Sequence, residues 1–214
     1  MGFKSITCLS CKRDIQVPTD IADPNCPYCG AAQSDGSSTP ISTLATLLGL
    51  AGTALAAGNP KEALDYYNRA LEMDPKNSEA WFGKGKAAGW QSTLSGIRLP
   101  EMLVDFSHAI ATAREPRKPE MIALAADEVN RLAATLYKLA RTHMIESVRL
   151  QTSWSQYLVQ VSQLLAALQK AGEWMPSNRT VWENINHLCK DNIEGIVYSD
   201  FSRKPEGLDA GARI

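Results

Sequence analysis

Four cysteines in two tight pairs, Cys8-Leu-Ser-Cys11 and Cys26-Pro-Tyr-Cys29, constrain the start of this chain more than any other feature. Each pair can curl its backbone around one face of a metal ion. Two such turns, with fourteen residues between them, complete a tetrahedral all-thiolate shell. Zinc prefers that donor set at a closed structural site. The same sulfurs also suit a rubredoxin-type iron centre or a redox disulfide pair, so the pattern fixes a metal-sized cluster before it fixes the metal.

The stretch Cys26-Pro-Tyr-Cys29-Gly30-Ala31 resembles the second knuckle of zinc ribbons. A glycine after the last cysteine admits the positive φ that turns backbone amides toward sulfur. The resemblance implies a small β module over residues 1–32 with one structural Zn2+ held by Cys8, Cys11, Cys26 and Cys29. Short β-prone pieces, Phe3–Thr7 and Asp14–Val17, flank the first knuckle. Residues 33–40, mostly small and polar, read as a flexible linker.

Bulk properties narrow the function. Net charge is -1, which supplies no broad attraction to nucleic acid. Within the ribbon, Lys4, Lys12 and Arg13 are balanced by Asp14, Asp20 and Asp23. Four paired cysteines and a single outlier, Cys189, suit a reducing cytoplasm, where metal holds such pairs. Residues 41–57, ISTLATLLGLAGTALAA, carry no charge and stand at the lower limit for a membrane span. They are rich in Ala, Gly, Ser and Thr, which favours a packed helix; a membrane anchor is the alternative.

From Ile41 onward the signals are helical. Asn59-Pro60-Lys61-Glu62 is a helix start, and Asp74-Pro75 stops that helix. Further helices are expected from about Glu79, over Glu101–Arg114, Glu120–Leu150, Ser153–Ala171 and Ser177–Ile193. The stripe Ile122, Ala125, Val129, Leu132, Leu136, Leu139 marks the core side of the longest. Trp154, Leu158, Val161, Leu165 and Leu168 mark that of the next. No β pattern appears after the ribbon, and the end from Ser202 looks frayed.

Leu47, Leu50, Ala51 and Ala54, then Ala63, Tyr67, Ala70 and Pro75, resemble the tetratricopeptide repeat in every spacing. Small residues let two antiparallel helices approach, and Tyr67 fills the space toward the next pair. Trp81, Gly85 and Ala88 repeat the first helix at a shift of 34; Phe106 and Ala109 repeat the second at a shift of 39. One insertion, in the Gln91–Pro100 loop, accounts for the excess. Met102 replaces a small residue, so looser packing is expected inside this second pair. The resemblance stops by Pro119. It implies that the first helices line a groove for an extended peptide, at Leu48, Gly52 and Leu55, then Phe82, Lys86 and Trp90 or its neighbour Gly89. Chaperone-binding members clamp a terminal carboxylate with Lys and Asn, and only Lys86 of that set is here.

Other motifs carry less. Gly83-Lys84-Gly85-Lys86 lacks the spacing of a phosphate loop and sits in a helix pattern, where its glycines serve close packing. His143 falls on an apolar stripe and reads as a core histidine. His187 and Cys189 diverge by about 200° on a helix, and Cys189 reads as a small buried hydrophobe. Arg114, Arg117 and Lys118 make a basic turn that would complement the end of the preceding helix.

The fold expected is mainly α: a zinc ribbon (1–32), a linker (33–40), two tetratricopeptide-like hairpins (41–118), a cap of long helices (119–201) and a tail (202–214). The function expected is non-enzymatic: a cytoplasmic scaffold or adaptor that binds a protein or peptide, with self-association open. A nucleic-acid-associated factor that uses the ribbon is the other reading.

Overall fold

The computed structural model describes residues 2–8, 10–18, 25–31, 40–147, 149–199 and 211–213. Its contacts divide into two compact units, 1–47 and 48–214. The expected linker lies outside the described residues except for Pro40, as does the expected tail except for 211–213.

The first unit contains an antiparallel hairpin, β1 (Phe3–Thr7) and β2 (Asp14–Pro18), paired from Phe3↔Pro18 to Thr7↔Asp14. Strand alternation turns Ile15 and Val17 inward onto Cys8 and Cys26, while their neighbours face out. Among the described residues this core is small, four buried residues with Ile6 and Cys11 beside them, too few for a hairpin to stand without a staple.

α1 (Pro40–Ala56) ends where Gly58, at φ 77, lets the Asn59 amide reach Ala54 O and the Gly58 amide reach Leu55 O. That is a Schellman stop. Asn59 then caps α2 (Pro60–Met73) by accepting from the Glu62 amide and donating to the Glu62 carboxylate at 2.7 Å. Asn77 caps α3 (Ser78–Gly89) by accepting from the Ala80 amide at 2.9 Å. Gln91 donates to Pro60 O, so the end of α3 lies beside the start of α2 and the two helices are antiparallel. Ala51, Ala54, Ala63 and Ala70 are all buried, as the spacing predicts.

α3 is the helix of closest approach. A Cβ on Gly83 would stand 2.1 Å from Tyr67 Cζ of α2, and one on Gly89 would stand 2.5 Å from Met102 Sδ of α4 (Leu99–Thr112). The expectation of loose packing at Met102 is therefore corrected. Met102 is fully buried, because Gly89 on the facing helix vacates the space that the larger side chain takes. The 91–98 insertion closes on itself through the Thr93–Gly96 bridge, and Gln160 donates to Leu94 O at 2.8 Å.

α5 (Lys118–Glu146), α6 (Gln151–Trp174) and α7 (Arg179–Glu194) build the main core with α4. The expected stripes hold at Ala125, Val129, Leu132 and Leu136 of α5 and at Val161 and Leu168 of α6, all buried, and fail at one position each. Leu139 is 52% exposed and Leu158 43% exposed, while Ala140, Tyr157 and Leu164 are buried. A helical side chain leans toward the N-terminus, and an amphipathic tyrosine is readily passed over as core. Here the Tyr157 hydroxyl donates to Tyr137, whose hydroxyl donates to Asp191. After α7, β3 (Val197–Ser199) pairs antiparallel with β4 (Gly211–Arg213). Three-residue strands are too short to show an alternation in sequence, so this pairing differs from the frayed end expected.

Among the described residues no helix is long and apolar enough to cross a membrane.

Candidate functional site

The two cysteine turns have one design. Cys8 N–H donates to Arg13 O and Lys12 N–H to Cys8 O; Cys26 N–H donates to Ala31 O and Gly30 N–H to Cys26 O. Each turn thus closes over its first cysteine and sets the second three residues on. The four Sγ atoms lie within 4.8 Å of one another. Cys8 Sγ is 3.6 Å from Cys29 Sγ, and Cys11 Sγ is 3.7 Å from Cys26 Sγ. A tetrahedral ion with metal–sulfur bonds of about 2.3 Å requires sulfur–sulfur edges of about 3.8 Å. The donor set fits a metal ion in both chemistry and spacing. The Cys11 amide, 3.4 Å from Cys8 Sγ, holds the Cys8 thiol down to about 6. At Cys11 the Arg13 backbone pulls the same way, but burial and the neighbouring sulfurs together push the thiol up to about 11.

The second site is a cavity of about 620 Å³ that follows α3 along one side, lined by that helix from Glu79 through Phe82, Gly83 and Lys86 to Trp90. Leu55 and Ala56 at the end of α1, with Gly58 and Pro60, form the opposite wall; Tyr67 and Arg131 complete it. The groove residues expected at 55, 82, 86 and 90, and Gly52, therefore meet around one space. Leu48 is half-buried and is not part of the lining. Gly89 is buried against Met102 and Leu132, so Trp90 is the residue of that pair that reaches the cavity.

Each aromatic wall is braced from behind. Phe82 stacks on Phe106 of α4 at 4.8 Å. Trp90 donates its indole N–H to Glu128 at 2.6 Å, and the Arg131 guanidinium lies 4.6 Å above its ring while pairing with Glu128 at 2.6 Å. Burial, reinforced by Glu79, pushes the Tyr67 phenol up. Arg131 was missed from sequence because it comes from α5, far along the chain, with no local signal. Tyr67 carries a signal, its repeat position, but that position by itself speaks only for packing.

The remaining expected residues lie elsewhere. Trp81 is half-buried, donates to Pro75 O at 2.8 Å and stacks with His108, a packing role. His143 is exposed, not a core histidine, because the buried line of α5 passes through Ala140 and Met144. His187 is exposed and Cys189 only half-buried. Arg117 pairs with Glu79 at the start of α3 rather than with the end of α4.

Residues 44–87 match the tetratricopeptide repeat family. The match covers the α1–α2 pair and nearly all of α3, which together hold most of the cavity lining. No curated protein gives a significant match to the chain.

Proposed function

We propose that this protein is a non-enzymatic interaction scaffold whose tetratricopeptide-like hairpins offer the α3 cavity to a segment of another protein. The observation that carries this reading is the convergence of Leu55, Phe82, Lys86 and Trp90, four groove positions of the repeat, on one cavity. Preformed pockets with apolar walls and few polar groups are where binding energy is gathered most readily, and braced aromatics are favoured anchors. The four cysteines hold one structural zinc, which staples a ribbon whose own core is small. The compartment in this reading is the cytoplasm, where free paired thiols bind metal rather than oxidise. Residues 1–32 would act as a second contact surface, tethered by residues 33–40 to the hairpins of 41–118 and the cap of 119–201. Two tethered contacts on one assembly raise the effective concentration of the second.

The test is quantitative capture with the full-length protein, with its Phe82→Ala/Lys86→Glu form and with a Cys26→Ser form. A partner lost with the groove variant, while its melting transition persists, supports the reading. A partner lost only with Cys26→Ser moves the binding to the ribbon. Metal analysis of the purified chain should return one zinc per molecule.

A further inference from the structure

Resting on the groove reading above, we infer that the occupant of the α3 cavity is an extended segment carrying one acidic side chain between two apolar ones, spaced two residues apart on either side.

The charge inside the cavity comes down to one residue. Among the described residues three charged side chains line it: Glu79, Lys86 and Arg131. Glu79 is paired with Arg117 and Arg131 with Glu128. Among the described residues Lys86 has no such partner, so the wall presents one uncompensated cation midway along its length. Lys86 is half-buried, and an ammonium beside apolar walls attracts a carboxylate more strongly than it would in open water.

The spacing sets the pattern of the occupant. Phe82, Lys86 and Trp90 are four residues apart on one helix, so they stand about 6 Å apart along its axis. An extended chain advances about 6.7 Å for every second residue, and those alternate residues face the same side. Three alternate side chains therefore meet Phe82, Lys86 and Trp90 with an accumulated mismatch of only about 1.5 Å, within the reach of a lysine. The outer two face an aromatic ring each, and the middle one faces the ammonium.

The length also fits. From Glu79 to Trp90 the lining is about 17 Å long, and three alternate side chains of an extended segment span about 13 Å.

The experiment is selection of a phage-displayed random nonapeptide library on the full-length protein, on Lys86→Glu and on Phe82→Ala, each checked for a retained melting transition. The chosen peptides are then measured by fluorescence anisotropy. The expected outcome is enrichment of apolar-x-acid-x-apolar sequences. Replacing the acid by its amide should weaken binding about tenfold, and Lys86→Glu should select a basic residue at the centre instead. Peptides that need Phe82 but show no central acid, or a different spacing, overturn this inference and leave the groove as a binding site. Peptides indifferent to both substitutions, or no enrichment, overturn the groove itself.

Discussion

Lys12 and Gly30 occupy the same step of two matching cysteine turns: each is the fourth residue after the first cysteine, donates its amide to that cysteine's carbonyl, and has positive φ, 60° and 72° respectively. Glycine accepts that region freely, whereas an L side chain there costs roughly 1–2 kcal/mol. Lys12→Gly removes the strain but adds freedom to the unfolded chain, worth about 0.5–1 kcal/mol, so the net gain should be a few tenths to about 1 kcal/mol. Gly30→Ala reverses both terms and should lose a few tenths to about 1 kcal/mol, from backbone alone, since nothing stands within 4 Å of an added Cβ. Thermal melts of the metal-loaded protein, read at a ribbon signal, check both signs.

Metal removal should separate the two cores. Among the described residues the ribbon buries only Cys8, Ile15, Val17 and Cys26, whereas the core of α4–α7 involves none of them. Metal-binding free energy is folding free energy where a module cannot bury enough surface alone. Excess chelator should therefore abolish β1–β2 amide protection and leave the helical circular dichroism nearly unchanged. A parallel loss of helix signal would contradict this.

Asp105 gives the fold a predictable response to pH. It is 3% exposed, one carboxylate oxygen has no partner, and burial pushes its carboxyl up although Lys84 at 3.5 Å partly offsets this. The folded protein therefore holds that proton to higher pH than the unfolded chain does. The associated stability is complete below the ordinary carboxylate value of about 4 and is lost as pH rises through the folded pKa. Asp105→Asn stays neutral throughout. It should match the native chain in acid and exceed it near neutrality by on the order of 1 kcal/mol. Urea midpoints across that range measure the difference; a less stable variant at neutral pH would mean that the Lys84 pair outweighs the burial.

The parts legible in the sequence were those set by short-range spacing. Asn59 and Pro60 announce a helix start because capping is chemistry between residues two or three apart. Ala63, Tyr67 and Ala70 announce a close helix pair for the same reason. For α3 the cap expected at Ser78 lies one residue earlier, at Asn77. Leu139 and Leu158 misled because an apolar residue at the edge of a stripe looks the same in sequence whether or not a neighbour covers it. The bracing of Trp90 by Glu128 and Arg131 was invisible, since it depends on which turn of α5 passes behind α3. Half of the groove was thus readable as a repeat, and the residue that completes its wall at Arg131 was not.

Gly83 and Gly52 both line the cavity, yet substitution should move stability in opposite directions. At Gly83 an added methyl meets the Tyr67 ring at 2.1 Å from Cζ, and that ring is itself buried. Relief requires α3 to move away from α2 or Tyr67 to leave its place, and overpacking of this kind costs about 1–3 kcal/mol. At Gly52 nothing stands within 4 Å of the new atom, so the main effect is that alanine replaces glycine in α1. That should stabilise by about 0.5–1 kcal/mol. Denaturant midpoints of Gly83→Ala and Gly52→Ala check the two signs. Peptide binding provides an independent readout, because Gly83→Ala displaces the α2–α3 wall while Gly52→Ala leaves Phe82, Lys86 and Trp90 in place. Equal destabilisation by both substitutions would show that α1 packs more tightly around Gly52 than the geometry allows.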